Sequence, residues 1–462
     1  MKEKIPLLFL TGIIVITMVG CTHLPEEEYR PDEQIIEDKV QEELTSDPQE
    51  APEFVEPAGD ISLLDAYAAA LLNHPKLTGY GWKVRVREAQ ALQANLLPNP
   101  EVEFEVEEFG GSGSYSGFDS AETTLLFSQM VELGQKRSKR NAVAQLERDI
   151  ATLEYEAARV DILAEVSRAF IKLLAYQQRY EMVKQNLELA ESSYDAIEKS
   201  VDAGAVSPLD LTKSRVAVVQ EKLEFNRIQN DLDIAKAKLA AAWGSNQPVF
   251  DRAVGNLALM EKLPSVGILS RRISQNPDIA RWAVEISKYQ AQIMYEKSQS
   301  IPDVSVGAGM KYSHESGDAA AVFGLSMPLS LFDRNQGNIR AAQYEFERAL
   351  QQKREIELQI NTALTSAYRK LQSAHQEAQV MNGELYPAAR QAYNDIQKAY
   401  VEGKLGYLDV LDAQRTLFET QRDYLEALVR FHSIAIDIES LIGMPLSELA
   451  EQQPHLIHET GE

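Results

Sequence analysis

The sequence predicts a mostly helical protein built from two copies of one unit, each carrying a long helical hairpin and a pair of β-strands. Three observations carry this prediction. Within the 462 residues, Gly204, Leu209, Asp210 and Gly244 recur as Gly403, Leu408, Asp409 and Gly443, each 199 positions later. Residues 135–201 contain neither proline nor glycine and are rich in Ala, Glu, Gln, Leu, Lys and Arg, the composition of one long helix. Four short stretches alternate apolar and polar residues with period two, the signature of strands with one apolar face.

The chain opens with a basic start, Lys2 and Lys4, followed by an apolar run from Ile5 to Val19. This is an export signal, residues 1–20, and takes no part in the fold. The sole cysteine, Cys21, follows the small residue Gly20, so no internal disulfide can form. The ending MVGC resembles the bacterial lipobox, in which the cysteine becomes lipidated. Thr22 stands where such lipoproteins carry an inner-membrane retention Asp, which points to the outer membrane. Residues 21–59 are rich in Pro and Glu, with 13 acids against 2 bases between Glu26 and Glu56. Such a segment buries too little apolar surface to offset its ordering entropy and reads as an acidic, disordered tether.

The first copy spans residues 60–245. Ser62 and Asp65 form a capping box, and the first helix stops near Asn73 before Pro75. A second helix is expected from Pro75 to about Leu97. A hairpin follows at about residues 100–133: PEVEFEVEEFG, a turn-rich GGSGSYSG, then ETTLLFSQMVEL with Leu125, Phe127 and Val131 on one face. The glycine-rich turn lacks the strand–helix context of a phosphate loop. The proline-free tract, roughly 67 residues, would make a rod of about 100 Å. A helix that long needs a partner along its length. The chain supplies one after the turn, with Ser207 as N-cap and Pro208 at N1, running to Trp243.

The second copy, residues 246–444, restarts the pattern. Pro277 answers Pro75, Pro302 answers Pro100, and a second hairpin is expected at about residues 302–332. Its long helical tract, from near Asn335 to Tyr400, contains Gly383 and Pro387, where a break or kink is expected. The last helix runs from Tyr407 to Ile442, and residues 445–462 form a tail.

The net charge of −24, from 70 acids and 46 bases, argues against a nucleic-acid partner, since a phosphate backbone rewards clustered Lys and Arg. No catalytic constellation appears, and no cofactor motif. The seven histidines, among them His74, His314, His375 and His432, lack metal-ligand spacing, and the two on long helices read as packed or solvated. An enzyme is therefore not expected.

Strands of about ten residues match the length that crosses a bilayer when tilted. Their outward faces would be Val102, Phe104 and Val106; Val304, Val306, Ala308 and Met310; and Phe323, Leu325, Met327 and Leu329. Four strands cannot close a barrel, and an open edge cannot sit in lipid, so several copies of the chain would have to share one. The other reading of the same pattern is a lipid-anchored periplasmic coiled-coil scaffold whose hairpins cap a soluble bundle.

The duplicated plan, the paired NP helices and above all YVEGKLGYLDVLDAQRTLFETQ, with AGAVSPLDLTKSR as its first-copy counterpart, resemble the TolC-like outer-membrane efflux proteins over about residues 60–444. The lipidated start is similar to the metal-cation and drug branches of that family. The resemblance implies a homotrimer with a shared 12-stranded transmembrane β-barrel. The duplicated long-helix hairpins would form an α-helical tunnel in the periplasm. It also implies a passive duct that exports small molecules or metal cations, with a periplasmic adaptor (membrane fusion) protein and an inner-membrane pump as partners. The protein would sit in the outer membrane, held also by lipid at Cys21.

In this reading the tip turns hold Gly204 and Gly403, which let the chain reverse after a helix. Asp409 and Asp412, at i and i+3, share a helix face, and three chains would bring each into a ring of carboxylates that attracts cations. They match the family's aperture acids, and Tyr400 matches its gating tyrosine. Leu405 departs from the pattern, standing where the family can carry an arginine that ties the closed state. The alternative reading of Asp210 and Asp409 is as helix-start acids favoured by the helix dipole at about 0.3–1 kcal/mol each, which suffices for Asp210. Asp412, one turn deeper, is the stronger gate candidate. Glu101, Glu103, Glu105 and Glu107 either line a barrel lumen with negative charge or form a solvated strand face.

Overall fold

A computed structural model describes residues 55–260, 263–273 and 276–446. The signal peptide, Cys21, the tether up to Phe54 and the tail beyond Leu446 lie outside the described residues. Helices α1 (Leu63–Asn73) and α2 (Pro75–Ala94) lead into strands β2 (Glu101–Glu107) and β3 (Glu122–Val131), then α3 (Lys136–Asp202) and α4 (Pro208–Ala241). The second copy supplies α5 (Val266–Arg272), α6 (Pro277–Gln299), β5 (Val304–Ser313), β6 (Ala319–Ser326), α7 (Gln336–Val380), α8 (Tyr386–Val401) and α9 (Tyr407–Ile442). Two short strands, β1 (Gly59–Ile61) and β4 (Phe250–Ala253), pair in parallel.

Helix starts follow their capping chemistry. The Asp65 carboxylate accepts from the Ser62 amide at 2.8 Å, and the Asp65 amide donates to Ser62 Oγ at 3.3 Å, closing the expected box. The Ser207 hydroxyl accepts from the Leu209 amide at 3.2 Å, with Pro208 at the first helical position. Helix α3 runs 67 residues without interruption and packs against α4, α6, α2 and α9. Its apolar stripe is buried, including Ile162, Leu173 and Ile197. A second core joins α5, α7 and α9 through Leu269, Leu364, Leu371, Phe431 and Ile438. Both histidines on the long helices are packed: His375 lies against Phe431, and His432 Nε2 is 2.8 Å from the Leu257 carbonyl.

The irregularity expected at Gly383 and Pro387 is present, without a break in the helical path. Residues Met381–Leu385 form a π-helical turn, and Pro387 is the second residue of α8. Proline lacks the amide that would bond four residues back, and the wider π turn takes up the mismatch. Two expectations need correction. Strand β6 ends at Ser326, so Met327 and Leu329 do not extend its apolar face; Pro328 has no amide to donate to the ladder. Helices α2 and α4 stop at Ala94 and Ala241, short of Leu97 and Trp243.

The four longer strands form one antiparallel sheet in the order β2-β3-β5-β6, so the seam between the two copies is the β3–β5 pair. Residues directly opposite each other share a face. The register therefore lines up Val102, Phe127, Ala308 and Phe323 in one row, and Phe104, Leu125, Met310 and Ala321 in the next. This face is apolar across all four strands, and it is exposed: Phe323 is 84% accessible and Leu325 76%. The opposite face carries Glu101, Glu103, Glu105 and Glu107, followed across the sheet by Ser128, Gly307, Gly309 and Lys311. The outer edges of β2 and β6 have no partner strand among the described residues.

Below the seam, the Leu133 amide donates to Asp303 Oδ1 at 2.9 Å, and the buried Lys136 ammonium lies 2.7 Å from the other carboxylate oxygen. This ties the end of the first hairpin to the start of the second. No described helix is long and apolar enough to cross a membrane.

Candidate functional site

The turns of the two helical hairpins are built alike. After α3, Gly204 takes φ +71°, its amide bonds the Val201 carbonyl at 2.9 Å, and the Ala205 amide bonds Ser200 at 2.8 Å. After α8, Gly403 takes φ +72°, with Gly403 to Tyr400 at 2.9 Å and Lys404 to Ala399 at 2.8 Å. Both are Schellman motifs, which need a left-handed residue after the helix.

The acids beyond the turns sit in different settings. Asp409 Oδ2 accepts from the Gly406 amide at 2.9 Å, so this carboxylate caps the start of α9. Asp412 is exposed one turn on, with its Oδ1 at 2.8 Å from the Arg415 guanidinium. In the first hairpin, Asp210 lies 3.4 Å from Lys213. Asp412 also lines a groove of about 760 Å³ between α9, α3 and α4. Asp409 and Asp412 are both exposed on α9, whereas Tyr400 is turned towards the hairpin contact.

That contact is an apolar cluster joining the two hairpins. Ile197 and Leu211 from the first meet Ala389, Tyr393, Val410 and Leu417 from the second. Tyr400 packs against Tyr407 with ring centroids 5.9 Å apart. Burial pushes the Tyr407 phenol up to about 12, helped by its neighbours Tyr400 and Tyr393 and by the Asp210 carboxylate. Burial also raises Tyr400, with Asp210 again contributing. The first hairpin's acid thus acts electrostatically on the second hairpin's tyrosines, a link the sequence reading did not make. Also missed was the spacing of Tyr386, Tyr393, Tyr400 and Tyr407, each seven residues apart and all in this cluster. A seven-residue step returns to the same helix face for Tyr386, Tyr393 and Tyr400 on α8, so that part of the signal was available, whereas Tyr407 joins them from α9 across the turn.

Glu101, Glu103, Glu105 and Glu107 are exposed on one face of β2, far in sequence and structure from the tips. The sheet's polar face also carries the ion pair between Glu122 and Lys311.

The family model for outer membrane efflux proteins matches residues 66–245 and 268–444, one segment in each copy. The chain belongs to this family. It is 32% identical over 388 residues to the cobalt-zinc-cadmium resistance protein CzcC of Cupriavidus metallidurans, covering 84% of this chain and 91% of that one. The cation efflux system protein CusC of Escherichia coli K12 is 25% identical over 387 residues, 77% of this chain and 81% of CusC. Among solved structures, a CusC crystal structure superposes with a TM-score of 0.72 at 18% identity, covering 85% of this chain and 96% of that one. A membrane protein from Pseudomonas aeruginosa gives 0.73 at 19% identity, covering 85% and 99%.

The protein is therefore an outer-membrane efflux channel component that extends into the periplasm, from a family of channels rather than enzymes. Members of the family act as trimeric channels within tripartite systems.

Proposed function

We propose that three copies of this chain form a passive duct for metal cations, joined in the periplasm by an adaptor and an inner-membrane pump. The observation that carries the reading is the register of the four-stranded sheet. It assembles a continuous exposed apolar face and leaves two unpaired edges, an arrangement that lipid and neighbouring strands would satisfy together. Pairing β6 of one copy with β2 of the next, three times over, gives a closed barrel of twelve strands. The acidic strand face with Glu101, Glu103, Glu105 and Glu107 would then line the lumen. Cys21 would carry the lipid that anchors the amino terminus.

At the other end, the tips would converge on the threefold axis. Asp409 and Asp412 would each form a ring of three carboxylates there, with Tyr400 holding the second hairpin against the first. Such rings attract cations. The likeness to CzcC supports divalent metal cargo such as cobalt, zinc or cadmium. The test is a deletion strain challenged with these three metals. Lost resistance, restored by the wild-type gene, is expected; unchanged resistance to all three would refute metal cargo. Single-channel recordings should then show weaker block by multivalent cations in Asp409→Asn/Asp412→Asn, and unchanged block would remove the gate assignment.

A further inference from the structure

We propose that Arg415 sets the cation selectivity of the constriction by acting as a built-in counterion of Asp412. The inference rests on the reading of Asp409 and Asp412 as the gate. The Arg415 guanidinium lies 2.8 Å from Asp412 Oδ1, one helical turn further into α9, and both side chains are 70% exposed. Asp409, by contrast, has no basic side chain in contact among the described residues; its carboxylate bonds the Gly406 amide. The two acids are therefore unequal: one is neutralised by a fixed positive charge and one is not.

The groove beside them has the same character. Five bases, Arg179 from α3, Lys213 and Arg227 from α4, and Arg415 and Arg422 from α9, line it together with four acids, among them Asp412 and Glu419. In a chain of net charge −24, the surface next to the gate acid is close to charge-balanced. An acidic lining meant only to gather cations would not hold four arginines there. Arginine stays protonated at any pH a membrane survives, so this positive charge cannot be titrated away. An exposed pair at i and i+3 contributes little to folding, so stability does not explain it well.

In a threefold ring the residue matters through charge. Three copies of Asp409, Asp412 and Arg415 sum to −3; without Arg415 the sum is −6. A permeating cation meets the smaller field, which attracts it without trapping it, as conduction requires. Arg415 would thus convert a site that could hold multivalent cations into one that lets them leave.

The test is single-channel recording of the full-length trimer in planar bilayers, with La3+ added as the blocking probe. Wild type is compared with Arg415→Gln, Arg415→Lys, and Asp409→Asn/Asp412→Asn. The account predicts that Arg415→Gln tightens La3+ block at least about tenfold and raises the potassium-to-chloride permeability ratio, since three positive charges within several ångströms are lost. Arg415→Lys keeps the charge and should match wild type in both readouts. If Asp409→Asn/Asp412→Asn weakens block while Arg415→Gln leaves block and permeability ratio unchanged, the role of Arg415 is overturned and the gate stands. If Arg415→Gln weakens block, the role is overturned as well. If neither variant changes block, the gate reading itself has failed.

Discussion

Raising the pH should loosen the contact between the two hairpins, most of all through the Tyr407 phenol. Tyr407 is buried at the start of α9 among Tyr400, Tyr393 and Ile197, and its folded pKa of about 12 lies above the ordinary value of 10.0. A raised folded pKa means that the neutral phenol is favoured in the fold. This contribution is fully present below pH 10 and is lost as pH rises from 10 towards 12. A shift of about two units corresponds to about 2.7 kcal/mol in total, of which about 1.4 kcal/mol is lost by about pH 11. The assay is an ultraviolet tyrosinate titration of wild type and Tyr407→Phe, whose difference isolates this phenol, alongside thermal melts at about pH 9 and pH 11. Wild type should lose stability between the two pH values by about 1.4 kcal/mol more than Tyr407→Phe. A difference titration centred at the ordinary tyrosine value, or equal pH sensitivity in the two proteins, would refute the argument.

Two further outcomes follow from the backbone. Gly403→Ala and Gly204→Ala should each cost about 1–2 kcal/mol, because open space surrounds both glycines and the cost is that of the left-handed conformation alone. Thermal melts check this, and a loss well above that range would show an unrecognised contact at the tip. Gly309→Ala should be far more damaging, since its Cβ would collide with the Leu125 carbonyl and Leu126 Cα across the β3–β5 seam. Heat-modifiable trimer on a gel should be lost in Gly309→Ala and retained in Gly324→Ala, where no atom lies within 4 Å. Retained trimer in both would mean the seam is not as close as described.

Much of this fold was legible because its signals are local. Ser62 with Asp65, and Ser207 with Pro208, mark helix starts by side-chain chemistry that acts within four residues. The absence of glycine and proline between 135 and 201 fixed α3 almost to the residue. Strands β1 and β4 were missed because three- and four-residue strands have no measurable period. Their pairing depends on contacts such as the Arg252–Asp60 fork, with Nε–Oδ1 at 2.9 Å and Nη2–Oδ2 at 2.7 Å, between residues far apart in sequence. Helix α5, at seven residues, was missed for a similar reason: the Ser265 side chain makes no capping bond. Gly383 and Pro387 marked the right place for an irregularity, but sequence does not say whether neighbours will hold the helix together across it. Here α9 packs along both α7 and α8 and does so.

At the tips, Gly204, Gly403 and the helix-start acids could be placed from the repeat alone. The setting of each acid could not. Asp409 could be read as a helix-start acid, and it does accept from a backbone amide, but nothing in the repeat said that Asp412 would hold a guanidinium. The action of Asp210 on Tyr400 and Tyr407 crosses between hairpins nearly 200 residues apart in sequence, which no local pattern encodes.

The central claim is that the exposed apolar face of β2, β3, β5 and β6 is covered by lipid in a barrel shared by three chains. Light scattering of Cys21→Ser protein, which can carry no lipid at that position, tests this most directly. The account predicts a particle of three chains that stays in solution only with detergent. A detergent-free, soluble monomer would contradict it.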